Sequence, residues 1–533
     1  MYASHGFLRS DIGDVDVVFH DGLYHLFHLV LPNHDFIAHA VSDDALNWRR
    51  VKNALFVGDP GEWDDDMLWT MHVSRNPDQG PGQPAWRMFY TGLSRREYGR
   101  IQRVGLATSN DLLTWERCTT VPGLPLEADG RFYESTTEEG RHWVSFRDPF
   151  FHHDPQTGTR ELLVAGRIKT GPVIRRGCVA RYAERPDGSF EARPPLHRPG
   201  LYDDIEVPAV FRLGDRHFMI GSIREDVKIH YWHADTADGP FENFFDNVLL
   251  PKGNYAGRIT QLPDGRVLLF NFFAKQESLG GRDIVRKMLP PPKELEVDGS
   301  GRLRVRSYSG YDDKVESQRC AAELCPLRPL FEHENARGGV DADGTLHLST
   351  RSGYQGFLLQ GEHHHFRLKA RLSLEGNGKC GMLLHSDGEG NGYYLSLDLI
   401  KGVAQLRAWG TREGGSVETA FLYHGLQAGY WVSDPAGPWE IQVLSHGMYR
   451  EVCINGQVLL TLADDTFANG GLGFYTESAA LRVEDLVVEE LTPPLEEDHQ
   501  MPFCTTTESD PERGDGVGAG AGMSVGVSGG QMV

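Results

Sequence analysis

The sequence predicts an all-β chain, a five-bladed β-propeller followed by a C-terminal β-sandwich, and three observations carry that expectation. The first is a strand–turn–strand unit opening on an acidic residue: GDVDVVFHDGLYHLFHL (13–29), RDPFFHHDPQTGTRELLVAGR (147–167) and EVPAVFRLGDRHFMIGS (206–222). Asp14, Asp148 and Glu206 stand at equivalent points of these units, and recurrence at a spacing of roughly 50–75 residues marks a radial β arrangement. The second is a series of five apolar second strands: YHLFHLV (24–30), WRMFYTGL (86–93), ELLVAGRI (161–168), HFMIGSI (217–223) and RVLLFNFF (266–273). Each follows a turn signal such as HDG, DPQTG or PDG. The third is an echo, A-x-S-[DN]-D-x-L-x-W, in IAHAVSDDALNWRRV (37–51) and VGLATSNDLLTWERC (104–118), with a weaker version at 229–244. It reads as a third strand, a polar turn and a fourth strand.

Each element then has a place. The opening strand of every blade lines the central axis, so residues far apart in sequence converge there. A Pro-rich hinge, LPPPKELEVDGSGRLRVR (289–306), ends the propeller. Beyond it, alternation in GYYLSLDLI (392–400), VAQLRAW (403–409) and WEIQVL (439–444), with turns at Asp387-Gly388 and Asn455-Gly456, reads as a β-sandwich. The expected division is a propeller over 1–288, a linker over 289–324, a sandwich over 325–492 and a Gly-, Ser- and acid-rich tail over 493–533. That tail has too few large apolar residues to offset its ordering entropy and is expected to be disordered.

Composition removes several function classes. Lysine and arginine total 53 against 75 aspartate and glutamate, a formal charge of −22, which argues against nucleic acid and anionic membrane as partners. No run approaches the roughly 18 apolar residues of a membrane span, and MYASHGFLRSDIGD lacks the regions of a signal peptide. Seven scattered cysteines with no CxxC pair fit neither a disulfide framework nor a zinc site; a reducing cytoplasm is the expected compartment.

Glycosidic cleavage needs one carboxyl to protonate the leaving oxygen and another to attack or to activate water. Asp148 lies in F-R-D-P-F, where Pro149 suits a strand start, although Arg147–Asp148 also reads as a turn or ion pair. Glu206 follows Asp203 and Asp204, and its bland reading is a solvated strand end. In S-D-I-G-D-V-D, Asp11, Asp14 and Asp16 compete for the first position. Asp14 and Asp16 share a strand face, and Gly13 permits close approach of backbone and ligand beside Asp14. Trp69 occupies the matching strand of the second unit, as a sugar platform or as packing between blades. Asp64, Asp65 and Asp66 read as a solvated loop rather than a calcium site, and His363–His365 as a surface run.

These segments resemble glycoside hydrolase family 32, the β-fructofuranosidase, inulinase and levanase group, over roughly residues 10–490. GLYHLFH (22–28) resembles the family's G-x-Y-H-L-F-Y, FRDP (146–149) its R-D-P motif, and EVP (206–208) its E-C-P. The resemblance implies a five-bladed propeller with a β-sandwich, a retaining glycosidase of terminal furanosides, Asp14 as nucleophile, Asp148 as transition-state stabiliser and Glu206 as acid/base. Arg147, Trp69 and Asp16 are the expected substrate-binding residues. The expected partner is an oligosaccharide or small glycoside; no cofactor and no metal are implied. Two departures stand out: Gly13-Asp14-Val15-Asp16 replaces W-M-N-D-P-N-G, and Leu29 replaces the Gln that often follows Y-H-L-F-Y. An inverting arabinofuranosidase-like enzyme and a non-catalytic carbohydrate-binding propeller are the competing readings.

Overall fold

The computed structural model of the chain describes residues 1–2, 11–78, 80–279, 282–376, 378–411, 421–434 and 437–495, so the expected tail lies outside the described residues beyond 495. Five antiparallel sheets occupy the first part of the chain, each with its strands ordered outward from an inner strand: Asp11–His20, Met67–Arg75, Arg147–Asp154, Glu206–Leu213 and Asn254–Gln261. These are the five blades of a propeller. The five second strands fall where the apolar runs place them. The fourth blade has three full strands, its outer edge finished by bridges from His230 to Val248 and from His233 to Glu242.

The repeat has a physical basis at two points. The echoed S-x-D turn closes in the same way in the first two blades. Asp44 Oδ1 accepts from the amides of Leu46 (2.8 Å) and Asn47 (2.7 Å), and Asp111 Oδ1 from those of Leu113 (2.9 Å) and Thr114 (2.7 Å). Ala45 and Leu112, one residue past each aspartate, both take a left-handed backbone. A short carboxylate that bonds amides two and three residues ahead makes such turns affordable.

The second point decides the site. Every inner strand slips register against its neighbour near its start: between Ile12 and Val15, Trp69 and Met71, Arg147 and Phe150, Glu206 and Ala209, and Tyr255 and Arg258. An extra residue bends the strand and re-aims its side chains. The bulge residues Asp148, Val207 and Ala256 have positive φ (60°, 50° and 56°).

Residues 289–324 are not a linker. Lys293–Val297 and Leu303–Arg306 are the outer strands of the fifth blade, and Val315–Cys320 joins a sheet of the sandwich. The prolines 290–292 only precede a strand; K-E-L-E-V and L-R-V-R alternate and bury Leu295, Leu303 and Val305. The sandwich itself pairs an eight-stranded with a seven-stranded sheet around one apolar core. Its hairpin at Asn455-Gly456, with both residues at positive φ (49° and 73°), is the turn that Asn-Gly predicts. The propeller packs on the sandwich through Tyr308, Tyr311, Leu444, Tyr449 and Ala463. At that interface lies a fully buried polar group: Lys293 Nζ, 3.4 Å from Glu451, with Tyr449 OH donating to the same carboxylate (2.5 Å).

Candidate active site at the propeller axis

The five bulges face one another at one end of the axis, and the side chains near them form the site. Asp14 lies in the bulge of the first blade and Asp148 in that of the third; Glu206 stands immediately before that of the fourth. Their positions are therefore staggered by a residue rather than equivalent, and the bulges compensate for the stagger. Thr70, in the bulge of the second blade, donates its hydroxyl to Asp14 and lies within bonding reach of Asp148 as well. Tyr255, at the start of the fifth, donates to Glu206 Oε2 (2.6 Å).

Each carboxyl has a different environment. Asp148 is almost closed off from solvent; the amide of Val207 donates to its Oδ2 (3.0 Å) and Arg147 Nε lies 3.6 Å away. Burial pushes its pKa up to about 6 against the pull of Arg147, and the charges of Asp14 and Glu206 push the same way. Burial also raises Asp14, opposed by the Thr70 hydrogen bond, with the Glu206 charge adding to the rise. Glu206 stays half-buried, held by Tyr255 on one oxygen and by Arg147 Nη2 on the other (2.7 Å). These mutual effects require all three carboxyls in one small volume.

Three expectations need correction. Arg147 is not free for a ligand: Nη2 also donates to Asp204 (3.1 Å) and Nη1 to Ser145 (2.5 Å), so it positions Glu206. Asp16 is buried deeper along the axis, where its carboxylate accepts from the Val73 amide (2.5 Å) beside His72; it binds protein rather than substrate. Gly13 is needed for packing: a Cβ there would stand 2.7 Å from the Leu29 Cβ. Trp69, half-buried, packs its ring 5.8 Å from that of His34 and keeps a buried indole N–H without a partner. Away from the site, Asp64 and Asp65 are buried, held by Tyr90, Arg117 and the amides of Gly61 and Arg95, and His363 is buried against Glu490.

Sequence reasoning missed Tyr255, and it placed Thr70 on the matching strand and Asp204 beside Glu206 without giving either a role. Thr70 and Tyr255 stand at or just before the bulges of the two blades that lack an acid. Asp204 is the buried counter-ion of Arg147 and Arg141 rather than a solvated neighbour of Glu206.

With this geometry in hand, comparison with known proteins is informative. Residues 14–174 match the glycosyl hydrolases family 32 N-terminal domain, a match that starts on Asp14 and takes in Asp148. Over that stretch the chain is similar to the family's propeller domain. A levanase from Bacillus sp. (strain L7) is 29% identical over 162 residues, which are 30% of this chain and 17% of the levanase, so the chain matches only a small part of that relative's length. Among solved structures, the β-fructofuranosidase of Aspergillus kawachii superposes with a TM-score of 0.65 at 14% identity, covering 94% of this chain and 95% of the other. The exo-inulinase of Aspergillus awamori gives 0.63 at 14%, covering 92% and 98%, and the family 32 β-fructofuranosidase of Bombyx mori 0.59 at 17%, covering 91% and 92%. At these identities the superpositions establish the shared fold, propeller and sandwich together.

Proposed function

We propose that this protein is a family 32 enzyme that hydrolyses terminal β-fructofuranosides with retention of configuration. The observation that carries the proposal is the convergence of Asp14, Asp148 and Glu206, from three different blades, at the propeller axis. The match to the family 32 N-terminal domain and the likeness to a levanase favour a fructoside over an arabinofuranoside.

In this reading Asp14 attacks the anomeric carbon and forms a glycosyl ester, while Glu206 gives its proton to the departing oxygen. Glu206 then takes a proton from the water that cleaves the ester, restoring both residues. Tyr255 and Arg147, one on each oxygen of Glu206, keep the carboxyl aimed through both steps. Asp148 holds sugar hydroxyls as positive charge develops on the ring. The decisive experiment incubates the purified protein with sucrose, inulin, levan and aryl arabinofuranosides and follows the first-formed anomer by NMR. Release of β-fructose supports the proposal; an inverted product, or turnover of arabinofuranosides alone, overturns it.

A further inference from the structure

Beneath the three carboxyls, Arg258 from the inner strand of the fifth blade is fully buried in the axis. Its two Nη groups donate to backbone rather than to any carboxylate: Nη1 to the carbonyl of Pro208 (2.8 Å), Nη2 to that of Pro149 (2.8 Å) and, at 3.5 Å, to that of Met71. Each of these carbonyls comes one or two residues after a site residue: Pro149 after Asp148, Pro208 two after Glu206, Met71 after Thr70. Inner strands turn an unpaired edge to the channel, and a carbonyl left unsatisfied there would be costly. Guanidinium is planar and forked, so a single side chain can serve several carbonyls at fixed angles where an ammonium could not.

We propose that Arg258 is a positioning residue: one guanidinium, supplied by the fifth blade, latches the site-bearing bulges of the second, third and fourth blades around the axis. This rests on the reading of Asp14, Asp148 and Glu206 as the reacting groups. Arg258 is also a buried cation close to these carboxyls. The charged groups around it are Asp14 and Asp16 from the first blade, His72 beside Asp16 from the second, Asp148 and Arg147 from the third and Glu206 from the fourth, with Lys287 near Asp14 and the Phe150 ring 5.6 Å away. Its charge lowers Asp14 and is felt by Asp148.

Two variants separate latch from charge. Arg258→Lys keeps the cation and loses the fork. It should lower kcat about tenfold or more with KM within about threefold, because misplacement of catalytic groups costs the transition state, and leave the acid limb of the pH profile in place. Arg258→Met should lower kcat and also move that limb upward by about one pH unit, since the carboxyls lose a stabilising cation. Wild-type kcat in Arg258→Lys, a loss borne wholly by KM, or an unmoved acid limb in folded Arg258→Met overturns the proposal. Should Arg258→Met fail to fold, Arg258→Lys decides by kcat alone. If the wild type turns over no fructoside, the functional reading fails instead. The latch is then tested by the crystal structure of Arg258→Lys, where the Pro149 and Pro208 carbonyls should turn from the axis; unmoved carbonyls overturn it.

Discussion

Of Asp14, Asp148 and Glu206, Asp148 is the most buried, with the charges of both others acting on it, and that sets the pH behaviour of the site. Its pKa near 6 lies above the ordinary 3.8, so protons return to it as pH falls through 6. A step that needs Asp148 ionised should therefore show an acid limb in kcat/KM near pH 6, falling about tenfold per pH unit below it. Arg147→Met should push the limb higher, because the cation that opposes the rise is gone; a limb left near pH 4 in the wild type would contradict this. Glu206→Gln should cripple substrates with poor leaving groups, spare aryl fructosides and respond to azide, whereas Asp14→Asn should abolish both activities. Gly13 and Leu29 make a separate point at this scale. The family pattern has polar side chains at both places, and here the two departures touch. In this chain Leu29 fills the space that a Cβ at position 13 would need. Gly13→Asn should cost about 1–3 kcal/mol by overpacking and lower activity, read by denaturant melts and turnover.

At the scale of elements, the hairpins were legible because apolar alternation and turn chemistry are local signals. The five second strands, the echoed turns and the Asn455-Gly456 hairpin all follow from them. The bulges were not legible, since a register slip depends on the partner strand, and with them went the roles of Thr70 and Tyr255. The outer strands of the fifth blade were hidden by the prolines at 290–292, which read as a hinge although they end before the strand begins. The three carboxyls stand out in the sequence because each opens an apolar run of a repeated unit; Arg147 and Asp16 were assigned to substrate because sequence cannot tell a buried pair from a ligand contact. The turns carry their own prediction. Asp111→Ala removes the acceptor for three neighbouring groups in the second blade and should cost about 1–2 kcal/mol in a melt, with KM unchanged.

The whole molecule carries an acid-labile core. Burial holds His28, His39 and His385 at about 3 and His446 at about 4, well below the 6.5 of a free imidazole. The unfolded chain takes up these protons first as pH drops below 6.5. Each such histidine then removes up to about 1.4 kcal/mol of stability per pH unit until its folded pKa is reached. Melting temperature should decline steadily between pH 6.5 and 4, and His385→Gln should flatten part of that decline. The buried Lys293–Glu451 contact joins the two halves of the fold with a charge from each. Glu451→Ala leaves the buried ammonium with only the Pro291 carbonyl and no counter-charge, and should cost about 3–5 kcal/mol, read by calorimetry. That divided ion pair has a practical meaning. A chain cut between Arg306 and Ser309 would yield two polypeptides, each carrying one pole of a lock whose mate is on the other. Expressed together they should assemble into an active enzyme; expressed apart, each should stay insoluble until the other arrives. The joint is thus a ready-made place to split this protein into a two-part reporter of proximity.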